Sequence, residues 1–156
     1  MANVSNVIHS LLLPVHGTML LPHATVAEVI AYGAVEAVPH TPAWLVGLLS
    51  WRGAQVPLIF FEGACGEPLP EESAVKQRKI AVLKTLGADP AMPFIALVTQ
   101  GVPRAIKIDH ETFADGGRES AQPCILKHVQ VKGQPAYIPD MDCLENTIKL
   151  ALATVN

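Results

Sequence analysis

Three cysteines and six histidines are the residues of this chain best suited to nucleophilic or metal chemistry. Cys65, Cys124 and Cys143 are odd in number and widely spaced. They form neither a CxxC pair nor a disulfide framework, and they read as reduced thiols. A cysteine nucleophile needs a histidine and an orienting group beside it in the fold. Cys65, in the run GACGEP, is the cysteine expected to be exposed, but no flanking motif supports catalysis. Cys124 and Cys143 fall in strand and helix patterns and read as small core residues. His9, His16 and His23 lie seven apart, but turns are expected between them, so the spacing carries no ligand geometry. His110 and His128 have no cysteine or carboxylate at ligand spacing. Asp140 and Asp142 point to different helix faces and suit a helix N-terminus better than a carboxylate dyad. No Walker loop, GxGxxG or GxSxG occurs. The expectation is a protein without catalytic residues, metal or cofactor.

Recognition is the remaining chemistry, and Arg52 is its candidate. It is the only charge between Glu36 and Glu62. A lone cation in so apolar a stretch is either a solvated turn residue or a recognition group. The stretch is TPAWLVGLLSWRGAQVPLIFFE, residues 41–62. Two apolar runs, Trp44 to Trp51 and Val56 to Phe61, flank the turn Arg52-Gly53-Ala54-Gln55, which predicts a β-hairpin. Gly53 can take a positive φ without steric cost. Trp44 and Trp51 are either core residues or anchors of an interface.

The elements that must position this hairpin follow from the rest of the chain. Its 156 residues are 50% apolar and 16% charged, with net charge −3, enough for one globular unit or two small ones sharing a core. Residues 1–61 hold only Glu28, Glu36 and Arg52 as charges, so that region is either deeply buried or covered by a partner. Nothing argues for nucleic acid, because the largest basic cluster, Lys76-Gln77-Arg78-Lys79, suits a solvated strand entry. No apolar run reaches the roughly 18 residues of a membrane span. The start, MANVSNVIHS, lacks a basic n-region, so a cytoplasmic protein without membrane insertion is expected.

In chain order, Leu11 to Leu21 predicts a hairpin with Gly17 at its reversal, and Pro14 suggests an edge strand or a bulge. Residues 23–32 favour one or two helical turns over a strand. Ala34 to Val38 reads as a strand, and Thr41-Pro42 as the cap of a single helical turn through Val46. Residues 63–75 hold Gly, Pro and Glu and form the best linker. Strands are predicted over 79–86, 94–99, 104–108, 124–131 and 134–138, with a loop over 109–122. A terminal helix opens at Pro139-Asp140, with Met141, Leu144, Ile148 and Leu152 on one face. About ten short strands and one confident helix favour a β-barrel or sandwich. No internal repeat is readable at residue level.

The central stretch resembles the signature of the CheW-like domain, the adaptor module of bacterial chemosensory arrays. Pro42, Gly47, Arg52, Gly53, Val56 and Pro57 fall in register with it, while Ser50 and Trp51 replace the usual Asn and Leu. Val26 to Ile30 is similar to the family's Val-x-Glu segment. Ile59-Phe60-Phe61-Glu62 departs from the usual Val-Asp-Leu-Arg, and Thr99-Gln100 replaces an Asp, which puts charge pairing there in question. The Trp-Arg-Gly variant and Phe60-Phe61 are similar to a divergent branch, such as the adaptors of type IV pilus chemosensory systems with twitching motility as output; the residues do not distinguish pilus from flagellar output.

The resemblance implies a mainly β fold: two five-stranded Src-homology-3-like barrels side by side, a groove between them, short helices and a C-terminal helix. It implies one CheW-like domain over residues 1–156, with its two barrel subdomains dividing near 63–78. It further implies no enzymatic activity and a two-component signalling role between a chemoreceptor's cytoplasmic tip and a CheA-type histidine kinase. The partner-binding residues expected on that basis are Val26, Glu28, Val46, Gly47, Trp51, Arg52 and Gly53. Val46 and Leu48 suit either the groove or the barrel core. The rival readings are a small-molecule-binding or enzymatic β-barrel using Cys65, and an assembly subunit with no kinase partner.

Overall fold

Apolar residues at successive positions, rather than alternate ones, mark strands buried on both faces. Leu11 to Leu13, Met19 to Leu21, Ile80 to Leu83 and Ile95 to Val98 are such runs, and they set the architecture. The computed structural model describes residues 7–15, 17–33, 35–69, 78–87, 90–109, 113–115 and 123–153. Among these, the strands are β1 Ile8–Val15, β2 Gly17–Pro22, β3 Val26–Ala31, β4 Leu45–Trp51, β5 Ala54–Ile59, β6 Lys79–Lys84 and β7 Phe94–Thr99. They continue with β8 Arg104–Ile108, β9 Phe113–Asp115, β10 Ile125–Val131 and β11 Gln134–Pro139. Two helices join them, the single turn α1 Phe61–Ala64 and the longer α2 Met141–Ala153.

The strands form a six-stranded sheet in the order β8-β1-β2-β11-β10-β9 and a five-stranded sheet in the order β3-β6-β7-β5-β4. Side chains alternate between faces along a strand, and here the two faces serve two cores. Leu11, Leu13, Met19 and Leu21 from one sheet meet Ala81, Leu83, Ile95 and Leu97 from the other in a shared cluster. The intervening Leu12 and Leu20 line the six-stranded sheet's own interior with Val129 and Val131. Ile80, Val82, Ala96 and Val98 line the five-stranded interior with Leu49, Trp51, Val56 and Leu58. Each sheet is therefore a small barrel of Src-homology-3 type with its own core. This double burial matches the absence of charge in Leu11–Leu13, Met19–Leu21 and Val56–Ile59, whereas the described residues between 22 and 44 are half-buried or exposed.

The two sheets share one pattern of pairing directions, in different chain order. In the five-stranded sheet, β3-β6-β7 are antiparallel, β7 runs parallel to β5, and β5 pairs antiparallel with β4. In the six-stranded sheet, β8-β1-β2 are antiparallel, β2 runs parallel to β11, and β11 pairs antiparallel with β10. A helix follows β5 and another follows β11. The repeat invisible in residue identities is thus present in backbone pairing. The N-terminal hairpin completes the sheet that the C-terminal half builds. Five strands precede residues 63–78 and six follow, but each sheet takes strands from both sides of that segment.

Several expectations are corrected. The second sheet has six strands rather than five, because Phe113–Asp115 pairs with β10 inside the expected loop. Residues 26–31 form a strand, preceded by one 3₁₀ turn, because pairing with β6 outweighs the weak helical spacing. Between residues 34 and 38, pairing is limited among the described residues to one bridge, Glu36 with Leu48. No helical turn follows Pro42; the Leu45 amide donates to the Pro42 carbonyl and β4 begins there. Pro14 lies in an interior strand, not at an edge, and is tolerated because β8 pairs only as far as Leu12. β5 ends at Ile59, and Phe61 opens α1. The space between the barrels is packed by the shared cluster, to which α2 adds Met141, Leu144 and Ile148. An apolar depression opens instead at the mouth of the six-stranded sheet, lined by Ile8, Leu20, Pro22, Ile108, Phe113 and Ile138.

Candidate functional site

Two residues make the reversal between β4 and β5, Arg52 with φ +47° and Gly53 with φ +79°. Positive φ at both central positions is the type I′ turn, whose twist matches that of paired strands. Ala54 and Gln55, expected in the turn, already belong to β5. Glycine takes this conformation freely, whereas an arginine there costs of order 1 kcal/mol. The β10–β11 hairpin uses the same device, with Lys132 at φ +51° and Gly133 at φ +77°.

Trp51, the last residue of β4, turns its indole inward and is 7% exposed. Its ring meets Phe94 edge-on at 4.8 Å. The indole Nε1 donates to Glu28 Oε1 at 2.8 Å. Glu28 lies on β3 at an irregularity in its pairing with β6. β3 and β4 are the two edges of the five-stranded sheet, so this bond ties them together across the barrel. Arg52 Nη2 lies 3.3 Å from the same carboxylate oxygen, and its guanidinium sits 4.7 Å from the Trp51 ring centroid. The side chains of Arg52 and Glu28 are 67% and 39% exposed. An ion pair so wet contributes at most about 1 kcal/mol. It orients the arginine without consuming its donor capacity, since guanidinium carries five N–H groups.

Of the seven residues expected at the site, the structure gathers Glu28, Trp51, Arg52 and Gly53. Val26 is on the same strand as Glu28 but packs against the shared cluster. Val46 packs against the five-stranded interior, so of its two readings the barrel core is the one observed. Gly47 is buried where the backbone of Glu36 crosses β4, and a Cβ there would collide with the Glu36 carbonyl. Gly47 lies five residues from Arg52 along β4, roughly 16 Å by strand rise. These two β4 residues therefore support the hairpin from within and stand apart from its exposed tip.

The other candidates end differently. Cys65 is 4% exposed, because α1 folds it into the shared cluster. Burial, helped by the Glu67 and Glu62 carboxylates, pushes its thiol up to about 11, away from the thiolate a nucleophile requires. Among the described residues no three His, Cys, Asp or Glu side chains converge as a metal site. His16 and His110 lie outside the described residues. No helix among them is long and apolar enough to cross a membrane.

A buried polar network escaped the sequence reading. Arg78, expected to be solvated, is 5% exposed. Its guanidinium carbon stands 5.2 Å from the Phe60 ring and 5.8 Å from the Tyr32 ring. Arg78 Nε donates to Gln100 Oε1 at 3.3 Å, and Gln100 Nε2 donates to Glu62 Oε2 at 3.4 Å. Glu62 and Gln100 occupy the two places where charge pairing was in question, and a buried relay joins them to Arg78. The available signal was Phe60-Phe61-Glu62, a carboxylate directly after aromatic residues. Its partners stand 16 and 38 residues further on, beyond any local pattern.

Comparison with known proteins adds three findings. The model of the CheW-like domain family matches residues 13–148. The fold is similar to the crystal structure of scaffolding protein TtCheW from Thermoanaerobacter tengcongensis, with TM-score 0.69 and 18% identity, covering 85% of this chain and 88% of that one. No curated protein sequence matches.

Proposed function

This chain belongs to the CheW-like domain family, and from that premise we propose that it is a non-catalytic adaptor. In this reading it couples the cytoplasmic tip of a chemoreceptor to a CheA-type histidine kinase in a chemosensory array. It works in the cytoplasm, recruited to membrane-bound receptors, as one CheW-like domain over residues 1–156 made of two intertwined barrel subdomains. The Trp-Arg-Gly variant favours the type IV pilus branch, in which twitching motility is the output, with chemotaxis through flagellar rotation as the alternative output.

One observation supports the contact surface. Arg52 is held at positive φ, exposed, stacked on a buried tryptophan and oriented by Glu28. Strained residues persist where the surroundings hold them and cluster at recognition sites. Arg52 and Gly53 are the tip that a partner grips, and Glu28 contributes its partly exposed carboxylate. Val26, Trp51, Val46 and Gly47 serve the surface from behind it. Arg52 makes charge-assisted hydrogen bonds to a carboxylate or carbonyl of the partner. Signal passes only if receptor and kinase contacts change together, since coupling is a difference in binding free energy between states.

Arg52→Asn is the sharpest test. Asparagine suits a type I′ turn better than arginine, so the thermal midpoint stays level or rises. Loss of a charged hydrogen bond is worth about 1.5–3 kcal/mol, or roughly 10–100-fold in Kd. Titration of the purified kinase and of a receptor-tip fragment with both proteins measures it. Unchanged affinity for both, with the fold intact, removes Arg52 from the surface.

A further inference from the structure

Two elements of the six-stranded half bring a pair of thiols together. Cys124 lies in the turn that enters β10, with φ +66°. Cys143 lies in the first turn of α2. Their Sγ atoms are 3.1 Å apart, and neither residue is in a disulfide. A disulfide bond is about 2.05 Å long, so an approach of about 1 Å closes the gap.

Backbone contacts hold the pair independently of the sulfur atoms. The Asp140 amide donates to the Cys124 carbonyl at 2.8 Å, while Asp140 Oδ1 accepts from the Cys143 amide at 3.1 Å. One residue thus fixes both cysteines. Access is unequal: Cys124 is 3% exposed, whereas Cys143 is half-buried. Cys143 lines an open depression with Gly87, Asp142, Glu145, Asn146 and Lys149.

We propose that Cys124 and Cys143 form a reversible dithiol–disulfide modification site that reacts with a small disulfide such as oxidised glutathione. Cys143, reached through the open depression, loses its proton and attacks one sulfur of the reagent. The reagent S–S bond breaks, and the departing thiolate takes up that proton. Cys124 then attacks Cys143 Sγ, the mixed disulfide breaks, and the second departing thiolate takes the Cys124 proton. Both protein thiols are oxidised, and the reagent is reduced to two thiols. Burial, reinforced by the neighbouring Cys143 thiol, pushes the Cys124 thiol up to about 12, so Cys124 acts second. The new bond encloses the β10–β11 hairpin and fixes it to α2, whose Leu144 and Ile148 anchor in the shared cluster. This inference is independent of the adaptor reading.

The test incubates the full-length protein with oxidised glutathione, alkylates the remaining thiols and maps peptides by mass spectrometry. The expected product is a Cys124–Cys143 linked peptide pair, with Cys65 still reduced. The thermal midpoint rises by roughly 5–10 °C and falls back when a dithiol reductant is added. Cys124→Ser retains a stable glutathione adduct on Cys143, and Cys143→Ser leaves Cys124 unmodified. A stable adduct on wild-type Cys143, a link through Cys65, or no reaction of the folded protein overturns the proposal. The wild-type peptide map decides the matter even where a variant fails to fold.

Discussion

At the scale of residues, Trp51 does two jobs with one side chain. Its ring fills the five-stranded interior against Phe94, and its N–H reaches the Glu28 carboxylate on the opposite edge strand. The jobs separate by substitution. Trp51→Phe retains an aromatic ring but has no donor, so stability falls by about 0.5–1.5 kcal/mol, read from urea unfolding. Trp51→Ala also empties the interior and costs about 3–5 kcal/mol. Should Trp51→Phe prove as costly as Trp51→Ala, the retained ring restores nothing, and the separation of ring packing from the hydrogen bond fails. Arg52 adds little to stability from its exposed position, so its replacement by asparagine leaves the unfolding midpoint level or slightly raised.

At the scale of elements, β4 is held on both sides. It pairs with β5 along its length and accepts a single bridge from Glu36, whose backbone exchanges two hydrogen bonds with Leu48, at 2.8 and 3.1 Å. Gly47 permits that crossing because it has no Cβ to meet the Glu36 carbonyl. The atoms that a Cβ would meet are backbone atoms of Glu36 as well as the Val35 side chain, so the segment cannot yield by a rotamer change alone. Gly47→Ala pushes residues 35–36 off β4, and the expected loss is about 2 kcal/mol or more, in the range of overpacked sites. Hydrogen exchange locates the effect: faster exchange at the Glu36 and Leu48 amides, with β6 and β7 unchanged. Unaltered protection at these two amides contradicts the crossing as the reason for glycine. The α2 helix shows the complementary logic, since Asp140 closes its first turn through the Cys143 amide while Met141, Leu144 and Ile148 bury its inner face.

At the scale of the molecule, several protons are held where the interior excludes charge. The Cys65 thiol is raised from 9.0 to about 11 and the Cys124 thiol to about 12, and burial raises the Tyr137 hydroxyl as well. Above pH 9 the unfolded chain releases these thiol protons while the folded chain retains them. The native state then binds more protons, so stability falls as pH rises. Below pH 9 both states are protonated and these groups add no slope. Urea midpoints should stay level from about pH 7 to 8.5 and drop from about pH 9 to 11, with a shallower drop in Cys65→Ala. A level profile through the alkaline range rules out thiol burial as the source. Elsewhere Arg78, Gln100 and Glu62 join through side-chain hydrogen bonds within the protein, at 3.3 and 3.4 Å.

The sequence alone determined the second-half strands other than β9, the presence of a reversal at Arg52-Gly53 and the apolar face of α2. Each is written in periodicity or turn chemistry within a few residues. The family likeness was likewise carried by the spacing of Pro42, Gly47, Arg52, Gly53 and Pro57. Tertiary structure decided what local pattern leaves open. It made residues 26–31 a strand through pairing with β6, placed the N-terminal hairpin in the C-terminal sheet, and drew Arg78 and Cys65 inside. It also brought Cys124 to Cys143, and Glu28 to Trp51 and Arg52, across 19, 23 and 24 residues. Local chain stiffness and side-chain alternation act over a turn or a strand; which distant edges and faces meet is settled only when two barrels bury one core between them.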